Sequence, residues 1–236
     1  MKIAVNIKNN LNSILKLRKL ATSIFIYKLF MSRAICQQCH RPEKACICAF
    51  VSRVDNQINV VVLQHPSEVK QSKGTVTLLQ QSLSQCEVIV GESFEDNKQL
   101  NRLLSQYGEQ IALLYPSEQA LAVDFSKPRG HDVNDKKVIT ADNGVKCIVI
   151  LDGTWKKAYR MFMLNPCLHH IKHLTLPAGI ESLYDIRKTK KDNALSSLEA
   201  CCHILARLEN KPEKFQAVLD GFVKFNQFQQ SFNQHC

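Results

Sequence analysis

Four short apolar runs, rich in β-branched residues, limit what this chain can fold into. They are 58–63 (INVVVL), 86–90 (CEVIV), 111–115 (IALLY) and 146–151 (KCIVIL). Runs of this length and composition are those of buried strands. The stretches between them read as helices, at 75–84 and at 97–106, the second with Asp96 available as its cap. Pro116 closes the third run. A further helix is expected to start near Thr154, a short strand to occupy 173–176, and closing helices to occupy 195–208 and 215–232. Strands that alternate with helices predict an α/β fold with a parallel or mostly parallel sheet. The polar stretch 126–145, with Pro128 and Gly130, is expected to be a mobile loop serving as a lid or a plain insertion.

At 236 residues the chain suits one α/β domain with a small appendage. A core of that size needs no disulfide scaffold. The formal net charge of +10 suggests a polyanionic partner, but it is unevenly placed. Residues 1–33 hold seven of the 31 basic residues and no acid, which leaves the remainder at only +3. That segment reads as an extension ahead of Met31, poorly ordered or an unused upstream start, with a transit peptide or a basic RNA-binding arm as alternatives. Its longest apolar stretch, 21–31, contains Lys28 and is too short to span a bilayer. It also lacks the ordered regions of a signal peptide. Ten cysteines without such a signal imply a reducing compartment. The expected organisation is therefore an extension at 1–33, a cysteine knuckle at 34–50 and an α/β domain at 51–236.

Cys36, Cys39, Cys46 and Cys48 form the pattern C-x2-C-x6-C-x-C. Two chelating pairs joined by a short loop can close four thiolates around a tetrahedral zinc ion. All four positions are then filled by protein, so the expected metal is structural. The other reading is four unrelated thiols. Cys86, Cys147, Cys167, Cys201, Cys202 and Cys236 are scattered and suit packing roles.

Asp152-Gly153-Thr154-Trp155 follows the strongest strand signal directly. Ligands in α/β sheets gather at the carboxyl ends of strands, so Asp152 is expected at the mouth of a crevice. Gly153 would allow close approach there. The alternative is that Asp152 caps the next helix and Trp155, the only tryptophan, packs in the core. Farther on, Arg187 could hold a carboxylate or phosphate. Ser197 and Glu199 fall near a helix start, where Ser196 or Ser197 could equally be a simple cap. Leu114-Tyr115-Pro116 and His65-Pro66 mark two more strand ends. His169, His170 and His173 do not show clean metal spacing and are expected to contribute surface polarity or nothing.

Taken in order, these segments resemble the DTW-domain family. The match runs from the knuckle with Arg41-Pro42 inside it, through Gln64-His65-Pro66-Ser67-Glu68, Thr75 and Leu114-Tyr115-Pro116, to Leu151-Asp152-Gly153-Thr154-Trp155 with Ala158. It closes with Arg187 and Leu195-Ser196-Ser197-Leu198-Glu199-Ala200. The family usually has Thr where Ser197 stands, a change that keeps the hydroxyl. The resemblance implies a SPOUT-like knotted α/β fold and a tRNA-uridine aminocarboxypropyltransferase that uses S-adenosylmethionine in the cytoplasm. The bacterial form, which the length and knuckle resemble, acts on the tRNA variable loop, and eukaryotic relatives act on the D-loop. The residues expected around the cofactor are Leu114, Tyr115, Pro116, Asp152, Gly153, Thr154, Trp155, Arg187 and Ser197. Asp152 is the candidate general base, with Glu199 as its alternative, and Arg187 the candidate anchor for the amino-acid carboxylate. The partner implied is tRNA, with no membrane and a monomer favoured. Two rivals stand beside this reading: a methyltransferase on the same scaffold, and a zinc-knuckle RNA-binding protein without catalysis.

Overall fold

The computed structural model describes residues 34–71, 74–123, 138–139, 144–177, 179–180, 182–183 and 195–232. The 1–33 extension, most of the 126–145 stretch, Arg187 and Cys236 lie outside them. The chain divides into two compact units, Met1–Cys46 and Ile47–Cys236. In the first, the Cys36 backbone N–H donates to the Arg41 carbonyl at 2.8 Å, and His40 takes a positive φ of 54° to turn the loop back. A 3-10 turn at Glu43–Ala45 follows.

The second unit is built on a sheet with, among the described residues, seven strands. They are β1 (Asn59–Gln64), β2 (Cys86–Val90), β3 (Ile111–Leu114), β4 (Leu121–Val123), β5 (Val138–Ile139), β6 (Cys147–Asp152) and β7 (Lys172–Thr175). Their order across the sheet is β2-β1-β6-β3-β7-β4-β5. Every pairing is parallel. The helices are α1 (Val76–Ser82), α2 (Lys98–Tyr107), α3 (Trp155–Leu164), α4 (Ser197–Leu208) and α5 (Gln216–Ser231).

Parity along the strands sorts the core into two layers, because successive side chains point to opposite faces. Val61, Leu63, Val149 and Leu151 join one buried cluster with Leu100 and Leu103 of α2 and Ala158 and Met161 of α3. Their neighbours Val60, Val62, Ile148 and Ile150 are equally buried and face the other side. There α1, α4 and α5 pack on one another, with α4 also against β6. The α/β architecture and the parallel sheet are as the sequence pattern predicts.

Three local expectations need correction. The cap of α2 is Asn97, whose side chain accepts from the Leu100 N–H at 2.9 Å, and not Asp96. Strands β4 and β5 go unannounced, and β5 falls inside the stretch expected to be a loop. His173 is buried, not a surface residue. Its Nε2 faces the Leu168 carbonyl at 2.8 Å, which can only accept, so Nε2 carries the proton. Nδ1 then accepts from Ser117 Oγ at 2.6 Å.

Candidate active site and cysteine cluster

Strand β6 lies between β1 and β3, and its last residue is Asp152, in register with Gln64 at the end of β1. That register sets both polar side chains at one level at the strand ends, with Gln64 still buried. Gln64 Nε2 donates to Asp152 Oδ2 at 3.0 Å. From across the crevice, Ser197 Oγ donates to Asp152 Oδ1 at 2.7 Å. Each carboxylate oxygen is thus held by one donor and keeps a further lone-pair site. The capping alternative for Asp152 does not hold, because Thr154 is the N-cap of α3 and its side chain accepts from Lys157 N–H. Ser196 likewise caps α4, which leaves the Ser197 hydroxyl to reach Asp152.

Asp152 and Ser197, but not Gln64, line a crevice of about 690 Å³ at the carboxyl ends of the strands. Its walls include Leu114, Tyr115 and Pro116 after β3, and Asp152, Gly153, Thr154 and Trp155 after β6. Ser197 at the start of α4 completes the expected residues among its lining. Gly153 fits tightly: a Cβ there would stand 3.1 Å from the Cβ of Lys157. Trp155 is half exposed at the mouth rather than packed in the core. Tyr115 stacks on Phe162 with ring centroids 4.7 Å apart, and burial pushes its hydroxyl above the ordinary tyrosine pKa.

Glu199 is placed differently. It is fully buried and is not among the residues lining the crevice. Its carboxylate accepts from the Ser196 N–H at 2.7 Å in a capping box, from Ser182 Oγ at 3.1 Å, and from the Leu183 N–H. It ties the 182–183 segment to the start of α4. Arg187 lies outside the described residues.

Sequence reasoning did not single out Gln64 or the Glu68–Lys157 pair as site residues. Lys157 Nζ meets Glu68 Oε1 at 2.7 Å, with Glu68 on the crevice wall. The usable signal was position: Gln64 directly follows one apolar run, as Asp152 follows another. His65 is fixed nearby. Ser67 N–H donates to its Nδ1 at 3.1 Å, so Nε2 carries the proton and donates to Glu92.

The four knuckle thiols come together. The sulfurs of Cys36, Cys39, Cys46 and Cys48 all lie within 4.8 Å of one another. Cys39 Sγ and Cys46 Sγ are 3.8 Å apart. A tetrahedron with metal–sulfur legs of about 2.3 Å has edges of about 3.8 Å, so the Cys39–Cys46 separation fits two thiolates on one zinc ion. Backbone hydrogen bonds from Cys39 and Gln38, aided by the Cys46 thiol, lower the Cys36 pKa to about 6. The scattered thiols differ: Cys147, Cys201 and Cys202 are buried.

A parallel sheet with a carboxylate at the end of a central strand, facing a crevice between strand-end loops, is the α/β arrangement in which ligands gather at the carboxyl ends of strands. Within that class, the chain belongs to the DTW-domain family, whose pattern it matches over residues 33–230. It is similar to tRNA-uridine aminocarboxypropyltransferase 2 of Drosophila melanogaster, 30% identical over 191 residues that cover 78% of this chain and 70% of that protein. The protein of the same name from Macaca fascicularis is 31% identical over 183 residues, 75% of this chain but 57% of its own length, so the chain spans little more than half of it. Arabidopsis thaliana tRNA-uridine aminocarboxypropyltransferase A is 23% identical over 216 residues, 81% of this chain and 79% of its own. No solved structure matches the chain.

Proposed function

We propose that this chain is a tRNA-uridine aminocarboxypropyltransferase that modifies N3 of a tRNA uridine. The observation that carries the reading is Asp152, aimed by Gln64 and Ser197 into a crevice of about 690 Å³. That volume lies within the range of about 300–1,000 Å³ usual for small-molecule sites, and the mixed apolar and polar walls suit S-adenosylmethionine. When bound, S-adenosylmethionine supplies the 3-amino-3-carboxypropyl group: the new N3–Cγ bond forms as the Cγ–sulfur bond breaks, its electrons staying on sulfur in 5′-methylthioadenosine. Asp152 accepts the N3 proton, for which each of its oxygens retains a lone-pair site. Gln64 and Ser197 hold that carboxylate against rotation. The apolar walls from Leu114 to Pro116 exclude water from the reacting atoms. Arg187 is the proposed anchor for the donor's carboxylate, on the strength of the family resemblance. Glu199 is assigned to holding the 182–183 segment rather than to proton transfer, since its hydrogen bonds among the described residues lie there and at the helix cap.

The cysteine spacing supports a structural zinc held by Cys36, Cys39, Cys46 and Cys48, with no part in the chemistry. The all-parallel sheet is compatible with a SPOUT-like knotted chain path. Among the described residues no helix is long and apolar enough to cross a membrane. The nine described cysteines form no disulfide, and a reducing compartment such as the cytoplasm is the proposed location. The variable loop is the proposed target, by resemblance to the bacterial form.

The deciding experiment is mass spectrometry of tRNA nucleosides after incubation with the purified protein and S-adenosylmethionine. The expected products are 3-(3-amino-3-carboxypropyl)uridine and methylthioadenosine. Methylated nucleoside with S-adenosylhomocysteine would instead establish a methyltransferase. Mapping the modified residue separates the variable loop from the D-loop.

A further inference from the structure

Helix α3 is amphipathic in an unusual sense, because its outer face is apolar and aromatic. Its inner face is anchored by buried Ala158 and Met161. On the other side Trp155, Tyr159 and Met163 are 48%, 58% and 52% exposed. They recur every four residues, so they line one stripe, about 12 Å long at a rise of about 1.5 Å per residue. Exposed apolar stripes of this kind mark binding surfaces, since folding does not require them. Lys156 and Arg160 stand beside the stripe, and α3 contains no acidic residue. The nearby acids are already engaged: Glu68 by Lys157, and Glu92 by His65 and Arg160. Lys156 forms no ion pair among the described residues. The stripe begins inside the crevice, because Trp155 and Lys156 line it together with Asp152.

We propose that this stripe is a stacking platform for unpaired nucleotides of the substrate RNA, leading the target base from the outer surface of α3 into the crevice. The inference rests on the proposed tRNA-modifying function and adds the surface that receives the RNA. Aromatic faces with interleaved cations suit single-stranded RNA, whose bases are splayed and stack on side chains. A second copy of the chain would also cover apolar residues, but α3 has no acid to meet a second copy's cations and carries Lys156 without an ion pair among the described residues, which disfavours self-pairing and favours phosphates.

The test uses Trp155, the only tryptophan, as the reporter. Unmodified tRNA transcripts are titrated into the full chain without S-adenosylmethionine. Tryptophan emission should be quenched by stacking, and an RNA duplex of similar length should compete poorly. Tyr159→Ala should weaken tRNA binding about 5- to 100-fold, the range of one lost base stack, while Tyr159→Phe retains it. Met163→Ala should weaken it less, and neither variant should alter S-adenosylmethionine affinity or the melting temperature. Wild-type tRNA affinity in both alanine variants would overturn the platform, even if transfer activity is intact. A dimer that these variants dissociate, with tRNA binding unchanged, would also overturn it and assign the stripe to self-association. Quenching and weakened binding in a protein that forms no aminocarboxypropyl product would leave the platform standing and remove the proposed reaction. A wild-type chain that binds no tRNA would remove both.

Discussion

Asp152 is held from both sides, and substitutions at this site separate shape from chemistry. Asp152→Asn keeps an oxygen for Gln64 and offers an amide that the Ser197 hydroxyl can accept by rotating, so the crevice should retain its form. The amide cannot take the N3 proton, and single-turnover transfer should fall by about 10²–10⁴-fold with donor affinity nearly unchanged. Unchanged turnover would remove Asp152 from the mechanism. Ser197→Thr should retain transfer because it preserves the donor to Oδ1, whereas Ser197→Ala should lower it, read in the same assay. The thiols give an independent residue-scale expectation. Burial pushes the Cys147 pKa up to about 12 and also raises those of Cys201 and Cys202 above the ordinary thiol value. Since the thiolate is the nucleophile, native protein treated with iodoacetamide at pH 8 should be unmodified at these three sites, as peptide mapping would show.

Elements are positioned by a few close approaches, and two of these can be challenged. Gly221 of α5 stands so near the turn at Cys48–Phe50 that a Cβ would lie 2.3 Å from the Phe50 carbonyl oxygen. Alanine would gain roughly 1 kcal/mol in helix propensity. The clash should cost about 1–3 kcal/mol and prevail, so Gly221→Ala should lower the melting temperature. At the cysteine cluster, Cys46→Ser should lose bound zinc in metal analysis of the purified protein, and retention of stoichiometric zinc would show that Cys46 is not a ligand. Elements of this kind were legible to different degrees. The four apolar runs announce β1, β2, β3 and β6 because a buried parallel strand needs apolar residues on both faces. Strands β4 and β5 are short, three and two residues, and no periodicity can show in so few positions. Asp152 and the crevice residues were legible as strand ends, and the cysteines from spacing. The partners that aim Asp152 were not, because Gln64 and Ser197 meet it across sequence separations of 88 and 45, only once the chain between has folded.

At the scale of the molecule, strand order has a consequence for how the chain reaches this state. Both neighbours of β3, β6 on one side and β7 on the other, come later in the sequence. During synthesis β1 and β2 can pair as soon as they emerge, but β3 must wait with both edges open until residues 147–175 are made. The carboxylate that aims into the crevice arrives on the strand that fills the gap, so the site cannot form in any shorter nascent chain. Pairing across such separations is slow because loop closure precedes the contacts that reward it. Ribosome-arrested chains ending near residue 140 should therefore be cleaved around β3 by added protease, and chains carrying residues beyond 175 outside the ribosome should be protected there. The exposed interval is also when β3, an apolar strand without a partner, is most open to pairing with another chain. Chaperone dependence during synthesis should accordingly be concentrated before β6 emerges.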